Sequence, residues 1–339
     1  MVVNTRPARR GTRLEVKHLS VEVHRASGWR QAVRDVSFTV ESGERVALVG
    51  ESGSGKSLTA LSIARLLPQG ARISEGEILL DSIDLTIADK KTLIQIRGKI
   101  IGFVFQNPMT SLDPLTRVGS QVKEALTAHQ IGDRRSRDSS AAQMLQRTGI
   151  HDATARMRDF PHQFSGGMQQ RAMIAGALAA DPSLLIADEP TTALDVTVQA
   201  RVLALLKSLS EERALSLLMV THDLAVASQI AERVIVMYAG RVLEDAPVRA
   251  ILERPHHPYT EALLALVPDL HNAVDLPAPI PGNPIPAWDA GSGCPFASRC
   301  LYALDECSTI PWSLRPVAPG HLSACIRDQV SREASAVSR

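Results

Sequence analysis

A segment rich in glycine and serine, with a single lysine, carries the clearest chemical signal in this sequence. It consists of Gly50, Glu51, Ser52, Gly53, Ser54, Gly55, Lys56 and Ser57, with Leu58 next. The first eight positions match G-x-x-x-x-G-K-[ST], in which backbone N–H groups surround nucleotide phosphates. We expect Lys56 to reach the β- and γ-phosphates and Ser57 to ligate Mg²⁺. The segment follows a strand pattern and precedes a helical one, which disfavours the alternative of a chance glycine-serine turn.

Two adjacent carboxylates, Asp188 and Glu189, end the apolar run of residues 184–187. We expect Asp188 to hold the water shell of Mg²⁺ and Glu189 to polarise the water that attacks the γ-phosphate. The pair alone would be weak support for a catalytic site, because strand ends often meet solvent with acidic residues. The phosphate-binding segment makes the catalytic interpretation the stronger one.

The periodicity of apolar residues predicts the elements that position these groups. Alternation between residues 14 and 50 indicates strands, and the segment 58–67 has one apolar helical face. Strand patterns at residues 182–190 and 215–223 lie on either side of the helical segment 196–213. Strands that alternate with helices predict an α/β fold, with a parallel sheet and helices packed on it.

The chain has 339 residues, so a large domain with an appendage is expected. Helical and charged patterns at about residues 111–164 predict a helical subdomain. The composition shifts near the proline-rich stretch 276–286, which favours a domain boundary a few residues before it. The expected organisation is a flexible basic tail at 1–13, a nucleotide-binding domain at 14–265 and a small C-terminal module at 266–339.

The charge balance excludes some classes of partner. Lys and Arg number 37 against 36 Asp and Glu, and this balance offers no electrostatic footprint for nucleic acid, so no nucleic-acid partner is expected. No run of the sequence reaches the roughly 18 apolar residues that span a bilayer. The basic start of the chain has no apolar segment behind it, unlike a secretory signal. These features predict a cytoplasmic location.

Six short segments in a fixed order resemble those of the ATP-binding subunits of ABC transporters. They are the phosphate-binding segment, Gln106, the signature-like run Ser165-Gly166-Gly167-Met168, the acidic pair Asp188-Glu189, the run Ala193-Leu194-Asp195, and His222. The resemblance implies a P-loop (RecA-like) ABC nucleotide-binding domain with an antiparallel β subdomain and a helical subdomain. It also implies ATP as substrate and Mg²⁺ as cofactor.

In that family two nucleotide-binding domains pack head to tail, and each nucleotide lies between the phosphate loop of one and the signature of the other. The resemblance therefore implies a partner copy for this chain. It further implies that Gln106 ligates Mg²⁺ and links it to a membrane subunit. Asp195 would couple the two sites, and His222 would contact the γ-phosphate.

The signature-like run departs from the family pattern at Met168, where glutamine is commoner. Ser165, Gly166 and Gly167 are retained, and glycines before a helix can present N–H groups to a phosphate. We expect this site to function.

A second departure concerns the nucleotide base. The resemblance implies an aromatic residue near Val23 that stacks on adenine, but this chain has valine there. His24 and Trp29 are the substitutes that the sequence offers.

Residues 255–264, 280–288, 293–300 and 320–325 resemble the C-terminal region of the ATPase subunits of dipeptide and oligopeptide importers, more the D-type than the F-type. This implies MgATP-driven peptide import at the cytoplasmic face of the inner membrane. The implied partners are an F-type ATPase subunit, two transmembrane permease subunits and an extracytoplasmic solute-binding protein. The alternatives are an importer for nickel, glutathione or oligosaccharides, a soluble ABC-type ATPase of DNA repair or translation, and a nucleotide-binding protein without turnover.

All four cysteines lie near the end of the chain, at Cys294, Cys300, Cys307 and Cys325. Their spacing leaves free thiols and zinc ligands open, although it lacks the C-x-x-C pair common in zinc modules. A short aperiodic segment has little hydrophobic core of its own and benefits from a cross-link such as a bound metal. The resemblance implies that the four thiolates hold a four-iron four-sulfur cluster. A structural role is expected, because nothing in the sequence places this segment within reach of the nucleotide.

Overall fold

The computed structural model describes residues 12–191, 194–266 and 279–327. Its strands, β1 to β12 in chain order, are Leu14–Arg25, Gly28–Val40, Arg45–Val49, Ala71–Leu80, Ile83–Asp84, Ile101–Val104, Leu184–Asp188, Ser216–Thr221, Arg233–Tyr238, Arg241–Pro247, Arg315–Ala318 and His321–Ser323. Its helices, α1 to α13, are Lys56–Ile63, Lys90–Ile96, Pro108–Ser111, Val118–Val122, Glu124–Ala128, Arg134–Arg147, Ala153–Arg156, Gly166–Leu178, Val196–Arg213, Leu224–Ile230, Val248–Glu253, Pro258–Ala265 and Glu306–Thr309. Residues 1–11 of the predicted tail, Ala193, and residues 267–278 and 328–339 of the predicted C-terminal module lie outside the described residues.

An eight-stranded sheet with the order β11-β12-β10-β9-β3-β8-β7-β6 forms the centre of the fold. The strands from β9 to β6 in that order are parallel, and the other three pair antiparallel. Every residue of β7 and β8 is buried, as expected for parallel strands covered on both faces. The predicted α/β fold with a parallel sheet is therefore confirmed.

The two faces of this sheet pack into separate hydrophobic clusters. In β7, Leu185 and Ala187 belong to one cluster, whereas Leu184 and Ile186 belong to the other. The first cluster contains apolar residues of α8, α9 and α10. The second contains α1 and the apolar side of a four-stranded antiparallel sheet with the order β2-β1-β4-β5. This arrangement holds α1 and the loop before it against the centre of the parallel sheet.

Two further parts of the chain are added to this core. All regular elements between residues 111 and 164 are helical, and they include α6, whose buried Met144 and Leu145 join the cluster that contains α8. The C-terminal segment adds β12 to the edge strand β10, with Glu244 opposite Ser323 and Asp245 opposite Leu322. Within the described ranges, no helix is both long enough and apolar enough to span a bilayer.

Candidate functional site

The phosphate loop, residues 50–57, connects the carboxyl end of β3 to the start of α1. A side chain at Gly50 would collide with the carbonyl oxygen of Met237 in the neighbouring strand β9, so the site requires glycine. Lys56 Nζ donates hydrogen bonds to the carbonyl oxygens of Gly50 at 2.7 Å and Glu51 at 2.9 Å. The lysine predicted to reach the phosphates therefore lies against its own loop in this structure.

The acidic strand end meets the phosphate loop because β7 and β3 both pair with β8 in parallel and end at the same edge of the sheet. Ser57 Oγ donates a hydrogen bond to Asp188 Oδ1 at 3.0 Å. Two of the groups predicted to hold Mg²⁺ are thus direct neighbours. Hydroxyl and carboxylate oxygens are ligands that suit this ion.

Burial shifts two charged groups at this junction toward their neutral forms. Desolvation lowers the pKa of Lys56 to about 8, although the nearby carboxylates oppose that shift. Desolvation raises the pKa of Asp188 to about 6, opposed by the hydrogen bond from Ser57. A phosphate chain near Lys56 and a divalent cation near Asp188 would favour both charged forms. The electrostatics of this junction therefore fit a magnesium nucleotide.

Glu189 occupies a strained turn directly after β7. Its φ of 46° lies in the left-handed region, which costs a residue other than glycine on the order of 1–3 kcal/mol. Its N–H donates to the carbonyl oxygen of Val220 at 2.9 Å. Its carboxylate accepts a hydrogen bond from Gln106 Nε2 at 3.0 Å and lies 3.3 Å from His222 Nδ1, which donates because an ionised carboxylate only accepts. Gln106 and His222, which come from separate segments, thus both contact the Glu189 carboxylate.

A groove of about 390 Å³ opens beside the phosphate loop, a volume typical of small-molecule sites. Among the predicted residues, its lining contains Ser52, Gly53, Gly55, Lys56, Ser57, Leu58, Gln106 and Glu189. The lining also contains Val23 and Arg25 of β1, and Trp288 of the C-terminal segment. Ser54 is buried behind the groove, where its hydroxyl lies 3.2 Å from Lys56 Nζ. Most of the predicted phosphate-loop residues therefore surround one cavity.

The two aromatic residues that the sequence offers for base stacking do not belong to the described lining of this groove. The rings of His24 and Trp29 pack edge to face with their centres 5.2 Å apart. The Arg72 guanidinium lies 4.1 Å from the centre of the Trp29 ring. Both rings are therefore engaged with other side chains.

The signature-like run does not contribute to the described lining of the groove either. Ser165 caps α8, with its Oγ accepting a hydrogen bond from the Met168 N–H at 3.4 Å. A side chain added at Gly166 would meet open space, whereas one at Gly167 would contact Val198 of α9. The start of α8 therefore lies apart from the described lining of this chain's own groove.

Asp195 has a defined local role. It is the N-cap residue of α9, and its Oδ1 accepts a hydrogen bond from the Val198 N–H at 2.9 Å. Such a cap satisfies one of the free N–H groups at a helix start. Asp195 and Gly167 therefore both lie beside Val198, which links the signature-like run to the start of α9.

The C-terminal segment contacts the phosphate loop directly. The Arg299 guanidinium, only 4% exposed, donates to both carboxylate oxygens of Glu51, at 2.6 and 3.1 Å. The Glu51 N–H donates to the Tyr259 hydroxyl at 2.8 Å. Arg299 immediately precedes Cys300, so the cysteine segment lies beside the phosphate loop. Its aperiodic sequence gave no sign of this contact.

All four cysteines are free thiols, and they line one small enclosed cavity. Each sulfur accepts a hydrogen bond: Cys294 from the Phe296 N–H, Cys300 from the Tyr302 N–H, Cys307 from the Leu304 N–H and Cys325 from the Arg327 N–H. Burial raises the pKa of Cys294 to about 12. Among the described residues, no three Cys, His, Asp or Glu side chains are grouped so that they could hold a single metal ion.

His257 is a buried neighbour of this cavity. Its Nδ1 accepts a hydrogen bond from the Tyr259 N–H at 3.1 Å, so the proton of the neutral ring is on Nε2. Nε2 lies 3.8 Å from Cys294 Sγ. The imidazole therefore points an N–H toward one of the four sulfurs.

Comparison with known families identifies two matches in this chain. Residues 33–192 match the ABC transporter family, and residues 243–307 match the C-terminal region of oligopeptide/dipeptide transporters. A provisionally named peptide import ATP-binding protein of Brucella melitensis biotype 1 is 47% identical over 310 residues, 88% of this chain and 92% of the relative. One of Brucella abortus strain 2308, also named provisionally, is 44% identical over 92% of this chain and 94% of the relative.

Comparison with solved structures also identifies ABC cassettes as proteins of similar fold. The dimeric post-hydrolysis state of an ATP-binding cassette bound to ADP and Pi superposes with a TM-score of 0.64, at 33% identity. The match covers 70% of this chain and 99% of that structure. A component of an ABC transporter complex from Clostridium perfringens superposes with a TM-score of 0.60 at 26% identity, over 71% of this chain and 91% of that structure.

Proposed function

This chain belongs to the family of ABC transporter ATP-binding proteins and is an ATPase, and we propose that it powers the import of peptides. The choice of peptides as the solute rests on the match of residues 243–307 to the C-terminal region of oligopeptide/dipeptide transporters. Relatives named for peptide import share 44–47% identity along most of the chain. A soluble ATPase of DNA repair or translation would not need this C-terminal region.

We propose that the groove beside the phosphate loop binds MgATP. Bound Mg²⁺ supplies positive charge for the β- and γ-phosphates. Ser57 Oγ and the Asp188 carboxylate would hold the ion, with Gln106 as a further ligand. Lys56 would exchange its contacts with the loop carbonyls for the phosphates, whose negative charge would stabilise the ammonium against burial.

We assign Glu189 the role of orienting and polarising the attacking water. Its carboxylate is held between Gln106 Nε2 and His222 Nδ1, so its direction is fixed before the nucleotide binds. His222 would also contact the γ-phosphate from this position. A positioned general base of this kind contributes about 10²–10⁴-fold to a rate.

A second ATPase subunit would complete the site. Gly166 and Gly167 begin α8 away from this chain's own groove, so their N–H groups can face a nucleotide held by a partner. Asp195, beside the same segment, would couple the two sites. A D-type identity for this chain favours an F-type partner and a heterodimer.

The remaining partners follow from the family. We propose that the chain binds two transmembrane permease subunits on the cytoplasmic face of the inner membrane, and receives peptides from an extracytoplasmic solute-binding protein through them. Residues 14–265 would form the nucleotide-binding domain, with a helical subdomain at about 111–164. Residues 266–339 would form the C-terminal module, and residues 1–13 a tail.

Purification of the chain with its permease and ATPase partners tests this function. We expect MgATP hydrolysis that rises when the solute-binding protein is added with a di- or oligopeptide. Nickel, glutathione and an oligosaccharide serve as matched solutes, and stimulation by one of these instead would reassign the importer. Full hydrolysis by the chain alone, with no response to the membrane subunits, would favour the soluble ATPase.

We further propose that the four cysteines hold a four-iron four-sulfur cluster. A cluster binds each thiolate through a different iron, which suits four thiols spread around one cavity. Burial raises the pKa of Cys294, Cys300 and Cys325, and backbone hydrogen bonds to these sulfurs oppose that shift. The positive charge of the iron would supply the rest of the stabilisation that the thiolate forms need.

Anaerobic purification tests the cluster. The protein should be brown, with four iron atoms per chain, and Cys307→Ser should lower the iron content, whereas Ser308→Ala beside it should not. Colourless protein with no iron and four titratable thiols would defeat the proposal. The nucleotide site does not depend on this outcome.

A further inference from the structure

The lining of the groove beside the phosphate loop combines polar groups with a large aromatic side chain. Ser52, Lys56 and Ser57 supply the groups that suit phosphates, whereas Trp288 supplies a large indole from the C-terminal segment. Trp288 is 37% exposed, so part of its indole surface is open to the groove that it lines. Its exposed surface therefore faces a cavity that already contains phosphate-binding groups.

The turn that carries Trp288 is fixed against the core. Arg34 of β2 donates hydrogen bonds to the carbonyl oxygens of Ala287, at 3.1 Å, and Ala290. Ala287 is buried, and a side chain at Gly240 would approach its Cβ at 2.8 Å. The residues on both sides of Trp288 are thus anchored, while its own ring projects from a short 3-10 turn at Ala287–Asp289.

Trp288 has one charged neighbour that also lines the groove. The Arg25 guanidinium of β1 lies 5.3 Å from the centre of the Trp288 ring, within cation–π range. Arg25 also lines the groove. The indole is therefore held in orientation by β1 on one side and by its anchored turn on the other.

We propose that Trp288 is the surface on which the base of the bound nucleotide stacks, so that the C-terminal module supplies the base-binding part of the nucleotide site. The inference rests on the proposed MgATP site. Val23, at the position where an aromatic residue was expected, is also in the lining but has no flat face to offer. Trp29 lies outside the described lining of the groove.

Binding of two ligands to the full-length chain tests the proposal. Calorimetry compares MgATP, which has a base, with magnesium tripolyphosphate, which has none, for the wild type, Trp288→Ala, Trp288→Phe and Trp29→Ala. Trp288→Ala should bind MgATP about tenfold more weakly, the usual scale of base–aromatic stacking, with unchanged tripolyphosphate binding. Trp288→Phe should retain most of the affinity, and Trp29→Ala should match the wild type.

The outcomes separate this inference from the function on which it rests. Equal MgATP affinity for Trp288→Ala and wild type would overturn the stacking role alone. Equal weakening for both ligands would also overturn it, because it would show damage to the phosphate loop instead. If the wild type itself fails to bind MgATP, the proposed nucleotide site and the stacking role both fail.

Discussion

Two parts of the chain meet at the phosphate loop, and they are held together by different physical means. Residues 14–265 form two sheets and surrounding helices around extended apolar clusters. Residues 279–327 have only two short strands, one four-residue helix and two 3-10 turns. This second part contributes a few buried side chains to one of those clusters and pairs β12 with β10. Buried polar contacts, among them Arg299 with Glu51 and His321 with Glu244, fix its position.

The contrast shows why the second part can act on the site of the first. An apolar contact tolerates sliding, but a bidentate guanidinium–carboxylate pair fixes position and direction. Arg299 therefore holds Glu51, a member of the phosphate loop, in one place relative to the C-terminal segment. Trp288 enters the groove from the same segment. Variants of each part, and of the contact between them, test this comparison.

The largest effect is expected at Glu189, in the first part. Glu189→Gln removes the negative charge but keeps the shape, so MgATP should still bind while turnover falls about 10²–10⁴-fold. Single-turnover hydrolysis by the purified complex measures the loss. Lys56→Ala is the contrasting variant, since it should weaken nucleotide binding itself. Turnover of Glu189→Gln within a few-fold of wild type would remove Glu189 from the proposed role.

The second largest effect is expected at Glu244, a residue of the first part that contacts His321 of the second part. This carboxylate is fully buried and accepts hydrogen bonds from His321 Nε2 and the N–H groups of His256 and His257. Glu244→Ala leaves these buried donors unpaired and should lower the free energy of unfolding by about 3–5 kcal/mol. Denaturant titration checks this.

Glu253→Ala provides the matched control for Glu244→Ala. Glu253 pairs with Arg249 on an exposed helix surface, where solvent screening leaves such a pair little effect on the free energy of unfolding. Comparable losses of unfolding free energy from the two variants would contradict the claim that buried polar contacts fix the C-terminal segment.

Breaking the contact between the two parts should raise the Michaelis constant for ATP. Arg299→Ala frees the Glu51 carboxylate, so KM for ATP should rise about five- to tenfold while kcat changes less, and Arg299→Lys should restore part of the affinity. In a double-mutant cycle, Arg299→Ala with Glu51→Ala should be little worse than either change alone. Strictly additive effects would show that the two residues act independently.

The smallest effect is expected at Met168. The backbone N–H groups after Ser165 do the proposed work, and Met168 contributes its own N–H to the helix cap. Met168→Gln should therefore change the turnover of the assembled complex by less than about threefold, against the 10²–10⁴-fold expected at Glu189. A much larger change would show that the side chain itself contacts the partner's nucleotide.

The sequence was sufficient where a local pattern determines the structure. The phosphate loop lies between β3 and α1 as its spacing predicts, and helix α9 spans residues 196–213 as its periodicity predicts. Gln106, Glu189 and His222 could be named from motif order, although their meeting at one carboxylate depends on the parallel sheet.

The sequence was insufficient where distant side chains form single contacts. Arg299 and Glu51 are 248 positions apart, and neither residue stands in a repeating pattern that would indicate the other. Trp288 follows a proline-rich stretch with no periodicity, so its entry into the groove depends on Arg34 holding Ala287. Sequence reasoning accordingly favoured His24 or Trp29, which lie nearer in the chain to Val23.

Peptide uptake into proteoliposomes tests the central claim most directly. Vesicles would contain the chain with its ATPase and permease partners, and labelled peptide would be presented with the solute-binding protein on the opposite side from MgATP. We predict uptake that requires MgATP and is lost with Glu189→Gln, although that variant still binds the nucleotide. Uptake that continues undiminished with Glu189→Gln, or ATP hydrolysis with no movement of any peptide, would contradict the account.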